Sequence, residues 1–549
     1  MNKKIICLTI MILVAFAPES AFSQKNTSSI NRITSSDLES YVTFLASPLL
    51  KGRMNGEEGL EIAAQYIASE AKLLGLKPAN SNSYFQPYSV MKKIMDLNKT
   101  MVQLISTSRD TVTIKEPMFQ MIPMEPTDLI LDGEVIFAGY GIKADKYKYN
   151  DFDNLKTEGK ILLVMDRAPL SADGKKCQFE EPGWSSGMSF QMKLTTLIYS
   201  KAKAILFVSD PKSGFQSFEE SNPGFAGYLN SKVTLKGEKK ENINPFMAGM
   251  PKVIFIHRSV ADALLKGSGH SLEELQNSID ATLQPYSFAI TDKQIKITEV
   301  SLTEEKVLNN VAGYIEGSDP VLKKELVVFS GHYDHIGVSG NKINTGADDD
   351  ASGCAALLSM AEAFQSLEKK PLRSILFLWV SGEEIGLYGS KSYVDDPLFP
   401  LEKTIADLNM DMIGRVKEVV DSTDETPMSG PNTVFVITDN QSKELRSIAD
   451  EIDSNNPIDF DYSLSGRDHP LQFFARSDHY NFVEKDIPVL CFTTGLHSDY
   501  HTPGDVVEKI DFKKMEMITR TIYEIGLTVA NRKTRLVVDN PFSSWGKSK

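Results

Sequence analysis

Six of the eight histidines in this 549-residue chain fall between positions 332 and 501, and the carboxylates that could join them follow apolar runs. The first cluster, Gly331-His332-Tyr333-Asp334-His335, comes directly after the apolar residues 326–329. On an extended backbone, residues two apart share a side, so Asp334 is expected to reach the ring of His332. A carboxylate that orients an imidazole is a recurrent partner of metal-binding histidines. Asp348-Asp349-Asp350 forms the second cluster. Three adjacent carboxylates repel one another unless a cation neutralises them. They precede a helix, whose N-terminus accounts for one acidic cap but poorly for three. Glu383-Glu384 follows the apolar residues 375–380. Adjacent glutamates at a strand end suit a division of labour in which one ligates a metal and the other takes a proton from the activated water. Asp411 stands among apolar residues, a costly place for a carboxylate unless it is paired or coordinated. His501 lies in a polar loop after the run through Cys491 and Phe492.

Taken singly, His332-x-Asp334 reads equally well as a polar loop, Glu383-Glu384 better as a solvated helix start and His501 as a solvated loop histidine, whereas the three aspartates favour a cation over a cap. Together the clusters supply two histidines and three carboxylates, His332, Asp349, Glu384, Asp411 and His501. A mixed nitrogen and oxygen donor set of this kind suits zinc, with cobalt or manganese as substitutes.

The elements that must position these residues alternate in type from about residue 309. Strand patterns at 325–330, 374–380, 404–410, 433–438 and 488–492 interleave with helical patterns at 352–367, 384–394 and 512–530. Such alternation predicts an α/β fold, a mixed and largely parallel sheet flanked by helices, with its site at the carboxyl ends of the strands. Two further helices are expected at 36–45 and 59–74. Between them and the alternating region the texture changes to short β-rich runs (133–140, 160–165, 204–208, 252–256) separated by glycine, proline, asparagine and serine. The chain is therefore expected to divide into a leader at 1–23, a first part of the main domain at 24–120, a strand-rich insertion at 121–288, the main domain at 289–532 and a polar tail at 533–549.

The net charge of −14 argues against nucleic acid or an anionic membrane surface as partner, since both are themselves negative. Lys3 and Lys4, an apolar run from 5 to 16 and small residues near Ser23 read as a secretory signal cut near Ser23–Gln24, which places the mature protein in the periplasm or outside the cell. No transmembrane helix is expected after cleavage. Cleavage would leave Cys177, Cys354 and Cys491, an odd number without regular spacing and so no disulfide framework. His257, His270, His469 and His497 read as surface or loop residues, and His335 as either a supporting residue of the site or a structural one.

The ordered set His-x-Asp, Asp-Asp-Asp-Ala-Ser-Gly, Glu-Glu-x-Gly-x-x-Gly-Ser, Asp-Met-Ile-Gly and Tyr-His-Thr resembles the M28 family of zinc aminopeptidases. The segments Val135–Ile142 and 160–164 resemble a protease-associated domain inserted into such a peptidase, and 45–76, with Gly52-Arg53 and Gly75-Leu76, resembles the family's N-terminal stretch. The resemblance implies two zinc ions per chain bridged by Asp349, with His332 and Asp411 completing one site and Glu384 and His501 the other. It implies Glu383 as general base, Asp334 as the residue orienting His332, and a cis Asp349–Asp350 bond. Tyr500 falls where some members place an oxyanion-stabilising tyrosine. Asp350 departs from the asparagine that many members carry. The implied activity is removal of N-terminal residues from peptides through a metal-activated water, and an acid-rich pocket suits a substrate's α-ammonium group. Two rivals stay open: a glutaminyl-cyclase-like zinc transferase on the same fold, and a receptor-like binding protein.

Overall fold

The computed structural model describes residues 29–123, 128–174, 176–179, 184, 189–221, 229–237, 250–339, 341–417, 427–469 and 471–544. The leader expected at 1–23 and the last five residues of the tail lie outside the described residues. Among those described, no helix is long and apolar enough to cross a membrane.

One sheet carries the clusters. Its central strands Ser374–Val380, Leu326–His332, Thr404–Met410 and Val489–Thr493 pair in parallel in that spatial order. Antiparallel strands close either side, the end of Phe288–Ile315 beside Ser374–Val380 and Thr433–Ile437 beside Val489–Thr493. This is the mixed, largely parallel arrangement expected. Every residue of the four central strands is buried, which is why they read as near-continuous apolar runs rather than alternating ones. Along Leu326–His332, successive side chains take opposite faces. Val327 and Phe329 join the core formed with the helices Ser35–Leu45, Glu58–Leu73, Ala351–Gln365 and Phe512–Asn531. Leu326 and Val328 join the other core, with Tyr393 and Phe482 from the opposite side.

A second sheet has its own core, which includes Phe137, Leu163, Val208 and Ile256. It contains the parallel strands Asp128–Phe137, Ile161–Met165, Ala204–Val208 and Lys252–Ile256, with Phe119–Met121 antiparallel at one edge and Met101–Ser106 and Thr111–Ile114 on the other side. The 28-residue strand Phe288–Ile315 runs through both sheets without interruption. Its residues 288–300 pair with Asp128–Phe137, 301–311 with Phe85–Met95, and 311–315 with Ser374–Val380. Phe85–Met95 in turn pairs with Ser231–Leu235, so a three-stranded ribbon projects from the main sheet.

One local expectation changes. The helix read at 384–394 forms only over Tyr388–Asp395. Residues 381–387 make a turn instead, with Gly382 (φ 73°), Gly386 (φ 124°) and Leu387 (φ 58°) in the left-handed region. Such backbone cannot continue a right-handed helix.

Candidate active site

The connections at the carboxyl ends of the four parallel strands converge, that after Leu326–His332 supplying both His332 and Asp349, and their side chains form two triangles that share one residue. His332 Nε2 lies 3.3 Å from Asp349 Oδ1 and 3.6 Å from Asp411 Oδ1. His501 Nε2 lies 3.2 Å from Asp349 Oδ2 and 3.1 Å from Glu384 Oε2. The two oxygens of Asp349 thus face different imidazoles. Glu383 stands beside the first triangle, within ligand distance of His332 and Asp411.

The three consecutive aspartates divide their work. Asp348 Oδ1 accepts from the Gly414 amide at 2.6 Å. Asp350 accepts from the amides of His332, Gly353 and Met412, and caps the helix Ala351–Gln365. Only Asp349 faces His332, His335 and His501, and the bond joining it to Asp350 is cis. Asp505 holds this loop from behind, accepting from the Asp348 and Asp349 amides at 3.0–3.1 Å and from Arg415.

Charges in so small a volume shift one another. Burial alone would raise the Asp349 carboxyl, but the imidazoles of His332, His335 and His501 outweigh it and hold it well below the usual range. Glu384 behaves likewise beside His501 and is held at about 2. Glu383 goes the other way. Burial pushes it well above the carboxylate range, and Glu384, Asp411 and Asp478 add repulsion that His332 only partly relieves. Two neighbouring glutamates with opposite shifts are what a ligand and a proton acceptor need.

The donor set passes a direct test for zinc. Donors around one tetrahedral zinc at 2.0–2.1 Å stand about 3.3 Å apart, and the distances above run from 3.1 to 3.6 Å. Asp349 Oδ2 and His501 Nε2 are buried without a hydrogen-bond partner, as a pair awaiting a shared cation would be.

Asp334 is placed differently from the expectation that its carboxylate reaches the His332 ring. His332 Nδ1 donates to the Asp334 carbonyl at 3.2 Å, while Asp334 Oδ1 is 3.8 Å away. The carboxylate instead accepts from Asn55 Nδ2 at 2.6 Å and from the Glu383 and Glu384 amides at 3.2 Å, so it pins the glutamate turn. His335 is part of the site: its Nδ1 lies 2.8 Å from Glu384 Oε1, leaving Oε2 toward His501. Tyr500 stacks on His501 at 3.8 Å between ring centroids and lines a cavity with Asp349, Glu383 and Asp411.

Two residues escaped the sequence reading. His497, expected as a surface or loop residue, is in a loop but only 4 % exposed, with Nε2 3.5 Å from Asp348 Oδ2. No local pattern marks it, because its partner lies about 150 positions away. Arg53, noted only within a motif, is fully buried. Its guanidinium donates to the carbonyls of Tyr333, Leu45, Thr345, Gly346 and Asp349, tying the N-terminal loop to both ligand loops. Cys177, Cys354 and Cys491 are free thiols.

Residues 310–526 match the family model of peptidase family M28. Aminopeptidase YwaD of Bacillus subtilis (strain 168) is 27% identical over 252 residues, 43% of this chain and 49% of that protein. A probable leucine aminopeptidase of Arthroderma otae is 28% identical over 221 residues, 38% of this chain and 56% of that protein. The chain thus spans about half the length of these curated relatives. Among solved structures, the zinc aminopeptidase BSAP from Bacillus subtilis superposes with a TM-score of 0.53 at 18% identity, over 93% of this chain and 99% of that one. The aminopeptidase from Aneurinibacillus sp. strain AM-1 gives 0.52 at 16% identity, over 94% and 98%. At these identities the superpositions speak for the fold, which they match across both sheets. The segment that carries all the candidate ligands is thus the part of the chain similar to peptidase family M28.

Proposed function

We propose that the protein is a zinc aminopeptidase, and the observation that carries this reading is the pair of donor triangles sharing the two oxygens of Asp349. His332, Asp349 and Asp411 would hold one zinc ion, and Asp349, Glu384 and His501 a second. Zinc in such a site supplies a Lewis acid and lowers the pKa of a coordinated water toward neutrality. The chain's own residues do the rest. Glu383, beside the first triangle, accepts the proton of the attacking water at its carboxylate and returns it to the leaving amine. Asp334 keeps that carboxylate in place through the amides of Glu383 and Glu384. Tyr500, beside Glu383 in the same cavity, is positioned to donate to the developing oxyanion.

The strand-rich sheet is read as a protease-associated insertion, and the basic, apolar start of the chain as an export signal that delivers the enzyme to the periplasm or the exterior. The test is direct. The purified mature chain should bind two zinc ions by elemental analysis and hydrolyse an aminoacyl chromogenic substrate, and Glu383→Gln should lower turnover by at least about a hundredfold with both metals retained. Near-normal hydrolysis by Glu383→Gln would overturn the base assignment. Cyclisation of an N-terminal glutamine peptide without aminoacyl hydrolysis would overturn the peptidase reading.

A further inference from the structure

Two cavities touch the ligand cluster, and their linings differ. The one described above presents Asp349, Glu383 and Asp411 together with Arg476, and Met412, Phe473 and Tyr500 are among its other walls. The second, of about 280 Å³, reaches the cluster at His335 and Glu384 and is walled by Val233, Ile385 and Tyr388. Its remaining side comes from the projecting ribbon, which contributes Lys92 and Lys232. Lys92 is occupied, its Nζ held 2.9 Å from Glu57 Oε1. Lys232 is exposed and pairs with no carboxylate among the described residues. A peptide has one positive and one negative end. A lysine repels an ammonium group and attracts a carboxylate. A short peptide cleaved beside its amino end at the cluster would therefore extend its carboxyl end toward the ribbon. The apolar walls between would cover its intervening side chain.

We infer that the ribbon cavity is the binding site for the carboxyl-terminal end of short peptide substrates, with an apolar residue after the scissile bond and Lys232 pairing with the terminal carboxylate. This rests on the aminopeptidase reading and names its substrate class: tri- and tetrapeptides with a free C-terminus rather than long chains. The ribbon strand Ser231–Leu235, from the strand-rich segment, then acts as a ruler for substrate length.

The experiment measures kcat/KM of the zinc-loaded chain on leucyl p-nitroanilide, on Leu-Leu-Ala as free acid and as C-terminal amide, and on a leucine-initiated hexapeptide in both forms. The free-acid tripeptide should exceed its amide by about fivefold, the upper end of what an exposed ion pair supplies, through KM rather than kcat. The hexapeptide pair should show no such preference, and in Lys232→Gln the tripeptide ratio should fall toward one. Equal rates for the acid and amide tripeptides overturn the inference, as does an undiminished preference in Lys232→Gln. So does recovery of the preference by an aspartate placed third in an amidated hexapeptide, which would assign the lysine to acidic side chains. Failure to cleave leucyl p-nitroanilide at all would strike the aminopeptidase reading itself, a result distinguishable from loss of the acid preference alone.

Discussion

Arg53→Met tests whether one buried guanidinium holds two ligand loops in register. The side chain is fully buried and spends its donors on backbone carbonyls: Tyr333 at 2.8 Å after the His332 strand, Thr345 at 2.8 Å and Gly346 at 3.0 Å before Asp349, Asp349 itself at 3.4 Å, and Leu45. Hydrogen bonds from a charged donor contribute about 1.5–3 kcal/mol each, of which part is offset because the cation no longer has to be buried. Removing one partner of such a network costs about 3–5 kcal/mol in comparable cases. We expect a loss of that size in urea unfolding, together with weaker zinc retention, because the Asp349 loop loses its anchor. Arg53→Lys keeps the charge but not the planar fork, and should recover only part of the loss. If Arg53→Met unfolds within 1 kcal/mol of the parent and binds zinc normally, the anchoring role is wrong.

Three further outcomes follow from the same geometry. Gly52 has φ 69°, and a Cβ there would stand 2.3 Å from the Asn344 carbonyl oxygen and 2.6 Å from that of Gly337; Gly52→Ala should therefore cost at least about 2 kcal/mol in urea unfolding, and a neutral result would refute the close approach. His479 is fully buried, and burial lowers its pKa from 6.5 to about 4, so the folded state favours the neutral ring. Its contribution, on the order of 3 kcal/mol, is complete above pH 6.5 and is lost as pH falls from 6.5 toward 4; thermal scans across that window should slope downward, and His479→Phe should flatten the slope. Chelation should lower the melting temperature as well as abolish activity, since zinc at a thousandfold above its Kd stabilises by about 4 kcal/mol; Asp349→Asn should largely remove that dependence on zinc.

The architecture of the main sheet was legible because its strands are buried on both faces. Residues 375–380 read as an uninterrupted apolar run and 404–410 as a mostly apolar one broken by Asp407 and Asn409, and the strands fall there. The helix expected from 384 starts only at Tyr388, and only the backbone shows Gly386 and Leu387 in the left-handed region that delays it. The uninterrupted passage of Phe288–Ile315 through both sheets was equally hidden, since a strand's pattern says what faces it buries and not which partners pair along its length.

At the site, the sequence by itself determined the chemistry on offer: which residues can donate to a metal, and that all but Asp349 closely follow a buried strand. Tertiary structure decided their assignments. Nothing in Asp348-Asp349-Asp350 says that the first binds an amide, the second faces two histidines and the third caps a helix. Nor does His335 announce that it holds one oxygen of Glu384, or Arg53 that it spans loops nearly 300 positions away. Local patterns record burial and backbone preference, which depend on near neighbours. A ligand's role depends on which distant segments the sheet brings within about 3 Å, and that is settled only when the chain has closed.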